Sequence, residues 1–380
     1  MSANTWTELD LGALADNVAN LRSRLTPSTD VIFVVKADAY GHGMLPVARC
    51  ARDCGIRSFA VAHMNEARAL RQELPEAEIV ILGAIPPAQA AAAVEGDFVP
   101  VIVSKEHARQ LSRAVLAKFG PRRPLRCHFK IDTGMGRLGF PWRDAAARIP
   151  AAAAQEGLRP EGACTHFAQA GSKEQAFTEA QMRRFREVLA ACETAGLELP
   201  RTHVSNSSAV LRHADWDAQA VRPGILLYGY PDMTDAPRPV PVKPVLQWKT
   251  RVLQVKQVPA GYTISYGSTH VTRCLTRIAT LDAGYADGYH RSLSNRGIVL
   301  VGGRRCPVIG RVTMNFIMVD LGPEHHARTG DEAVLAGEQE SASIWADELA
   351  ELAGTIPYEI LTSIRSTDRR ITPAPPAPIL

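Results

Sequence analysis

The sequence predicts an α/β protein: a TIM-like (βα)8 barrel followed by a smaller β-rich C-terminal domain. Over the first half of the chain, short apolar runs alternate with amphipathic helical stretches, as in repeated βα units with a parallel sheet. A proline-rich segment follows, and the pattern beyond it is mostly β-like. With 380 residues, the chain is also too long for one small core. We therefore expect two domains, at residues 1–236 and 237–380.

A helix is predicted ahead of the first barrel strand. Asp10 is placed to cap it, and residues 1–8 before it could pair with the second domain. The apolar positions of one helical face are Leu11, Leu14, Val18, Leu21 and Leu25.

Eight apolar runs are predicted to form the barrel, as that fold requires. They are Asp30–Lys36, Ile56–Ala62, Ile79–Gly83, Phe98–Ser104, Leu125–Asp132, Gly162–Phe167, Arg201–Ser205 and Arg222–Tyr228. An open doubly wound sheet is the structural alternative. Because no GxGxxG pattern follows the first run, a dinucleotide-binding version of that alternative is disfavoured.

The domain boundary is placed in Pro231–Pro244, where five prolines disfavour both a helix and a central strand. Beyond it one helix is predicted, at Ile344–Ala353, ended by Gly354. The β-like runs are Val245–Val258, Arg277–Asp282, Ile298–Val301, Arg305–Val312, Phe316–Leu321 and Glu332–Ala336. The C-terminal TPAPPAPIL is expected to be extended and poorly ordered, with a recognition peptide as the alternative.

Composition excludes several classes of function. The 43 basic and 39 acidic residues leave a net charge of +4 without a basic cluster, so no nucleic-acid partner is expected. No signal peptide or membrane span is recognised, which predicts a cytoplasmic protein without a membrane partner. Seven cysteines without a CxxC pair predict reduced thiols, and neither a disulfide framework nor a metal site.

Lys36 is the first candidate catalytic residue. It ends a buried β-run in VVKADAYGHG, at the carboxyl end of a barrel strand, where barrel enzymes keep their catalytic groups. A desolvated lysine has a lowered pKa suited to Schiff-base chemistry. From position alone, catalysis and a lysine that extends to solvent are equally good interpretations.

VVKADAYGHG resembles the cofactor-attachment motif of alanine racemases, fold-type III enzymes that use pyridoxal 5'-phosphate. Further matching motifs run in order along nearly the whole chain. They are KIDTGMGRLGF at Lys130–Phe140, THFA at Thr165–Ala168, SNSSA at Ser205–Ala209, VRPGILLYG at Val221–Gly229, ISYG at Ile264–Gly267, GYADGYHR at Gly284–Arg291, GRVTMN at Gly310–Asn315 and IPYEI at Ile356–Ile360. The resemblance implies a homodimer that interconverts L- and D-alanine and supplies D-alanine for peptidoglycan.

Residue by residue, the resemblance implies a cofactor site. Lys36 would bind the cofactor covalently and Arg222 would face its pyridine nitrogen. His166 would link Arg222 toward the catalytic tyrosine together with Arg291, and Tyr285 would support the site. The phosphate would be held by Tyr40, Ser207, Gly224, Ile225 and Tyr358, with Asn206 beside them. Without the resemblance, Ser205–Ser208 is better interpreted as a helix cap and Gly224 as a turn.

Racemisation needs one base on each face of the substrate carbon. The resemblance implies Lys36 for one face and Tyr266, contributed by the other subunit, for the opposite face. It assigns the substrate carboxylate to Arg137 and the backbone near the partner's Met314. Lys130 matches a lysine that is carbamylated in many members to fix that arginine, although a plain surface lysine is the alternative.

Two positions depart from the family pattern. Thr313 and Asn315 stand where many members have cysteine and aspartate. The missing negative charge leaves open a broader substrate range or serine. A fold-type III decarboxylase and a non-catalytic pyridoxal-phosphate carrier are the remaining alternatives. The decarboxylase's cysteine-containing C-terminal signature is not apparent here, and the carriers lack a second domain.

Overall fold

The predicted barrel and β-rich domain are both present in the computed structural model, which describes residues 4–231, 233, 235–366 and 368–374. By their contacts, the described residues form two units. The β-rich unit contains residues 4–14, 40–42 and 243–374, and the barrel unit contains residues 15–39 and 43–242. The units therefore divide between Val242 and Lys243, inside the proline-rich segment.

Strands and helices are numbered in chain order. The strands are β1 Trp6–Asp10, β2 Asp30–Val34, β3 Ser58–Val61, β4 Glu78–Ile81, β5 Phe98–Ile102, β6 Leu125–Asp132, β7 Phe140–Pro141, β8 Leu158–Cys164, β9 Arg201–Asn206, β10 Ala220–Arg222, β11 Leu246–Val258, β12 Thr263–Ile264, β13 His270–Val271, β14 Thr276–Leu281, β15 Ile298–Val301, β16 Arg304–Pro307, β17 Ile317–Asp320, β18 Glu332–Gln339, β19 Ala342–Ile344 and β20 Asp368–Thr372. The helical segments are α1 Leu11–Arg22, α2 Lys36–Tyr40, α3 Met44–Asp53, α4 Met64–Glu73, α5 Ala90–Glu95, α6 Lys105–Phe119, α7 Trp142–Ala153, α8 Ala176–Thr194, α9 Ser207–Arg212, α10 Ala346–Ala353 and α11 Pro357–Ser363.

Eight parallel strands close the barrel, in the order β5-β4-β3-β2-β10-β9-β8-β6 with β5 paired to β6. Their side chains are largely buried because a parallel barrel has core inside and helices outside. Phe98–Ile102, for example, is buried at every position. This burial explains why the strands appear in the sequence as near-continuous apolar runs.

Leu125–Asp132 has its predicted bounds, whereas the other predicted barrel strands are shifted at one end or both. The largest shifts are those of Gly162–Phe167, observed as Leu158–Cys164, and of Arg222–Tyr228. The strand predicted at Arg222–Tyr228 is Ala220–Arg222, and the apolar residues after it form buried turns, with Leu227 N donating to Gly224 O (3.0 Å). An apolar run cannot distinguish a buried turn from a buried strand. The strand predicted to reach Lys36 ends at Val34, because the chain from Ala37 to Tyr40 has positive φ angles.

Helix α1 confirms the predicted first helix and its cap. The Asp10 Oδ1 atom accepts a hydrogen bond from Ala13 N at 2.9 Å. The helix ends at Arg22, so the predicted apolar position Leu25 lies beyond it.

In the β-rich unit, β1 lies between β11, to which it is antiparallel, and β20, to which it is parallel. The main sheet has the order β16-β15-β18-β11-β1-β20, and β12 with β13 forms a separate hairpin. The predicted helix is confirmed as α10, which ends at Gly354 in the left-handed conformation (φ 73°). It begins two residues later than predicted, because Ile344 belongs to β19. Helix α11 was not predicted.

All seven cysteines are free thiols, as expected. Within the described residues, none of the helices combines the length and apolar character needed to cross a membrane. The tail that was predicted to be extended begins at Thr372, and its residues after Ala374 lie outside the described part of the chain.

Candidate active site

Several predicted site residues meet at the carboxyl end of the barrel. Lys36 follows β2, Lys130 is near the end of β6, and His166 follows β8. Ser207 follows β9, and Arg222 ends β10. Because the eight strands are parallel, their carboxyl ends share one face of the barrel, where barrel enzymes assemble their sites. The barrel thus groups residues that are far apart in the sequence.

The chain leaves Lys36 in a left-handed helical turn. Ala37, Asp38, Ala39 and Tyr40 all have φ between 52° and 55°. For residues other than glycine this conformation costs roughly 1–2 kcal/mol each, so surrounding contacts must hold it. Ala37 N donates to Glu66 Oε1 (2.7 Å), and Met44 N donates to Asp38 Oδ1 (2.7 Å). Sequence patterns carry no signal for such a turn, and it was not predicted.

Positive charge is concentrated around Lys36. Burial lowers the pKa of its amine, as do the charges of Arg137 and Arg222, while the Glu66 carboxylate raises that pKa. Burial also lowers the pKa of Lys130 to about 8, with further contributions from Arg222 and Arg137. The neutral form of each amine is therefore more accessible than in a solvated lysine, and the cluster favours an anionic ligand.

Arg222 is buried and held by hydrogen bonds from its two terminal nitrogens. Nη2 donates to Thr165 O (2.7 Å) and Val204 O (3.1 Å). Nη1 donates to His203 Nδ1 at 2.8 Å and also to the backbone oxygen of His203. The Nε atom of Arg222 makes no hydrogen bond to any described residue. These bonds fix the plane of the guanidinium and leave one donor over.

A pair of buried histidines continues from Arg222. Since Arg222 can only donate, His203 Nδ1 accepts, its Nε2 carries the proton, and that proton is donated to His128 Nδ1 (2.9 Å). Burial lowers the pKa of His203 well below its usual value and that of His128 to about 3, and the charge of Arg222 lowers both further. Both imidazoles are therefore neutral near pH 7. Sequence reasoning missed this pair, whose only signal was a histidine on each of two barrel strands.

Burial and the surrounding cations Lys130, Arg222, Arg137 and Lys36 likewise hold the pKa of His166 well below its usual value. The structure thus makes His166 a neutral imidazole inside the cationic cluster.

The loop that carries Arg137 is tied down by helix α8. Asp132 Oδ1 accepts from Gly134 N (3.0 Å) and Gly136 N (3.1 Å) at the base of the loop. Two residues of α8, Gln181 and Arg184, reach the same loop through Thr133. Gln181 Nε2 donates to Thr133 Oγ1 and to His166 O, both at 3.1 Å, and Arg184 Nη1 donates to Thr133 O at 2.7 Å. Neither residue was predicted.

Arg137 itself is exposed, and its guanidinium makes no hydrogen bond to any described residue. A planar donor group on an anchored loop can bind a carboxylate through two parallel hydrogen bonds. The structure therefore presents Arg137 as an available anion-binding group.

Ser207 and the turn after β10 form a set of hydrogen-bond donors. Ser207 Oγ accepts from Gly224 N (3.0 Å) and Leu226 N (3.3 Å), so its own proton remains to be donated. The buried Ile225 N–H has no acceptor among the described residues. Asn206 is the cap of α9, its Oδ1 accepting from Ala209 N at 3.0 Å. The cap interpretation thus applies to Asn206, while Ser207 and Ile225 keep donors for a ligand.

Other predicted residues belong to the β-rich unit. Tyr40 and Tyr358 lie together there, with ring centroids 5.5 Å apart. Gly41 follows at φ +83°, where a Cβ atom would lie 2.3 Å from Leu361 O, so the close approach of α11 requires glycine.

Tyr266 lies in a short turn after β12 and is 74% exposed. Its neighbour Ser265 has φ 65° and donates from Oγ to Arg311 O at 2.7 Å. Met314 is 56% exposed, and Tyr285 and Arg291 are also exposed. Around Tyr266 lies a groove of about 400 Å³ lined mainly by apolar residues such as Ile264, Phe316 and Met318.

Comparisons with known proteins cover nearly the whole chain. A family model described as "Alanine racemase, N-terminal domain" matches residues 9–232, and one described as "Alanine racemase, C-terminal domain" matches residues 245–372. An alanine racemase of Halothermothrix orenii is 41% identical over 360 residues, which cover 95% of this chain and 94% of that protein. One of Syntrophobacter fumaroxidans is 41% identical over 362 residues, covering 95% and 96%.

Solved structures of alanine racemases share the fold of this chain. Alanine racemase from Bacillus anthracis with bound L-Ala-P aligns with a TM-score of 0.89 and 33% identity, covering 98% of this chain and 96% of that one. Alanine racemase from Streptomyces coelicolor aligns with a TM-score of 0.89 and 36% identity, covering 97% of each chain. Alanine racemase from Bartonella henselae with covalently bound pyridoxal phosphate aligns with a TM-score of 0.87 and 28% identity. The alignment covers 97% of this chain and 100% of that one.

Proposed function

The chain belongs to the alanine racemase family and interconverts L- and D-alanine, and we propose that Lys36 and Tyr266 are its two bases. The observation that carries the proposal is the cationic cluster at the carboxyl end of the barrel. It places a lysine of lowered pKa beside Arg137 and Arg222, with unused hydrogen-bond donors at Ser207 and Ile225.

We propose pyridoxal phosphate as the cofactor, because the unused donors of Ser207, Ile225 and Arg222 match its functional groups. The hydroxyl of Ser207 and the N–H of Ile225 would bind the phosphate, and Tyr40 and Tyr358 would add hydroxyls. The unbonded Nε of Arg222 would donate to the pyridine nitrogen, and the Lys36 amine would bind the aldehyde. When bound, the cofactor supplies an electron sink for the substrate carbon that loses its proton.

Arg222 would offer the pyridine nitrogen a hydrogen bond but no proton. Although burial lowers its pKa, a guanidinium starts above about 12 and stays charged. The neutral His203 and His128 cannot supply a proton through it. The protein therefore keeps the electron sink weak, which favours returning a proton to the substrate over other outcomes.

Lys36 and Tyr266 would act on opposite faces of the substrate. Lys36 Nζ would take or return the proton on one face, and Tyr266 Oη on the other. Since both directions of the reaction occur, each group must serve as acid in one direction and as base in the other.

Arg137 would bind the substrate carboxylate, together with the backbone near Met314 of a second copy. We also propose that Lys130 reacts with carbon dioxide, its neutral amine forming a carbamate as one proton is released. That anion would accept hydrogen bonds from Arg137 and orient it. The pKa of about 8 supports this step, because about a tenth of Lys130 is neutral near pH 7, far more than of a solvated lysine.

The active unit is proposed to be a homodimer with shared sites. Tyr266, Met314 and Phe316 are exposed on the β-rich unit, as are Tyr262, Val271 and Leu275. Exposed apolar residues grouped with a catalytic candidate indicate an interface rather than a solvated surface. A second copy would cover these residues and bring Tyr266 to its neighbour's Lys36.

Borohydride reduction followed by peptide mapping tests the cofactor assignment. We expect a yellow protein in which reduction fixes the cofactor irreversibly on Lys36. Attachment to another lysine, or absence of retained cofactor after expression with pyridoxal, would refute it.

A chiral product screen over the common amino acids tests the substrate range. We expect alanine to be fastest and serine slower, with Asn315 permitting some breadth. A clear preference for lysine, arginine or glutamate would contradict alanine as the main substrate.

A further inference from the structure

Glu66 uses both carboxylate oxygens to bind backbone N–H groups at the carboxyl end of the barrel. Oε2 accepts from Ala62 N (2.9 Å) and His63 N (3.0 Å), and Oε1 accepts from Ala37 N (2.7 Å). The bond to His63 belongs to the capping box of α4, a common role for a glutamate at this position. The bond to Ala37 has no such local explanation, because Ala37 is 29 residues away.

Ala37 is the first residue of the left-handed turn that follows Lys36. Four consecutive non-glycine residues in this conformation are together costly. A charge-assisted hydrogen bond is about twice as strong as a neutral one, so Glu66 can hold the turn where it begins. The backbone next to Lys36 is thereby attached to α4 as well as to β2.

Glu66 also acts on Lys36 through its charge. Burial, Arg137 and Arg222 all lower the pKa of Lys36, and Glu66 is the acidic group that opposes them. Without this carboxylate, the charges that shift the pKa of Lys36 would all be those of cations, and that pKa would fall further. Geometry and charge therefore point to the same role.

We propose that Glu66 is a positioning residue for Lys36: it holds the turn after the lysine in its left-handed conformation and places a negative charge near the amine. The charge role rests on the proposed assignment of Lys36 as the cofactor lysine. The turn-holding role depends on the backbone contact alone.

The test compares Glu66→Gln with Glu106→Gln in the full-length holoenzyme. Gln has the shape of Glu, but its amide nitrogen cannot accept a hydrogen bond and it carries no charge. Glu106 is a matched control, because it is also a first-turn glutamate of a barrel helix but bonds to the side chains of Arg109 and Gln110. Circular dichroism establishes that each variant is folded.

Two quantities are measured. Hydrogen–deuterium exchange of the peptide containing residues 36–44 should become about tenfold faster or more in Glu66→Gln. The pH midpoint at which the nitrogen linking Lys36 to the cofactor loses its proton, followed by the absorbance of the holoenzyme, should fall by about one unit, because the negative charge that favours the protonated form is lost. A merely structural residue would not move this midpoint. Glu106→Gln should leave both quantities at their wild-type values.

If either quantity is unchanged in folded Glu66→Gln, the proposal is wrong. If that variant does not fold, Glu66→Asp replaces it. The shorter carboxylate should speed exchange while keeping the pH midpoint near the wild-type value, and unchanged exchange would overturn the proposal. Cofactor trapped on another lysine in the wild-type protein would refute the proposed function, and the charge role with it. If the cofactor is trapped on Lys36 in the wild-type protein, the proposed function stands, and an unchanged Glu66→Gln variant then refutes the Glu66 proposal alone.

Discussion

The barrel unit and the β-rich unit carry their candidate site residues in opposite surroundings. Arg222, His203 and His128 are buried and bonded to one another within the barrel. Tyr266 and Met314 are 74% and 56% exposed on the β-rich unit. The barrel organises its groups before any partner is present, whereas the β-rich unit presents its groups to solvent. This difference supports a site whose two halves come from different chains.

Mixing two inactive variants tests whether the two halves of the site come from different chains. It is the experiment with the largest expected change in activity. Lys36→Ala and Tyr266→Phe should each lose about 10²- to 10⁴-fold in racemisation rate, because each removes one proton-transfer group. A mixed dimer would pair the intact Lys36 of one chain with the intact Tyr266 of the other. Random mixing should then restore roughly a quarter of wild-type activity, measured by chiral chromatography.

Differently tagged chains that purify together provide the control for subunit exchange. If exchange is demonstrated and activity does not return, Tyr266 does not act on a neighbouring chain.

His203→Leu tests whether the stability of the barrel depends on the hydrogen bonds among its buried site residues. The substitution leaves Arg222 Nη1 without a side-chain acceptor and His128 Nδ1 without its donor. Because these groups are buried, we expect a loss of about 1–3 kcal/mol in stability, seen as a lower Tm by calorimetry. The control, His326→Leu, removes an exposed histidine and should change stability by less than about 0.5 kcal/mol. Equal effects of the two substitutions would show that the histidine pair does not stabilise the barrel.

The pH dependence of stability at Lys130 tests a smaller contribution. Its folded pKa of about 8 lies below the unfolded value of about 10.4, so the folded state carries the cost of a charged, partly buried amine below pH 8. As pH rises from about 8 to about 10, that cost disappears. Wild type should therefore gain about 1–2 kcal/mol of stability relative to Lys130→Met in this range, in buffer free of carbon dioxide.

The matched control for this measurement is Lys105→Met, which removes an exposed lysine. It should show no comparable gain over the same pH range. A flat difference between wild type and Lys130→Met would mean that the amine is solvated.

Patterns within short stretches of sequence were sufficient for much of the fold. Helix α1 with its Asp10 cap and helix α10 with its Gly354 end follow from local periodicity and capping residues. The barrel follows from the count of apolar runs. The motifs around Lys36, Arg222 and Tyr266 led to the family, which the comparisons confirm.

Long-range contacts decided what the patterns did not show. The end of β10 depends on buried turns, since an apolar run forms either element. The left-handed turn after Lys36 exists where Glu66, from another βα unit, accepts its first N–H. Gln181 and Arg184 anchor the Arg137 loop from a distant helix. By itself, the sequence determined the fold class, the family and the candidate residues, because these depend on local periodicity and motif order. The tertiary structure decided which groups are buried, bonded or exposed, because strain, desolvation and hydrogen bonding depend on neighbours that sequence spacing does not reveal.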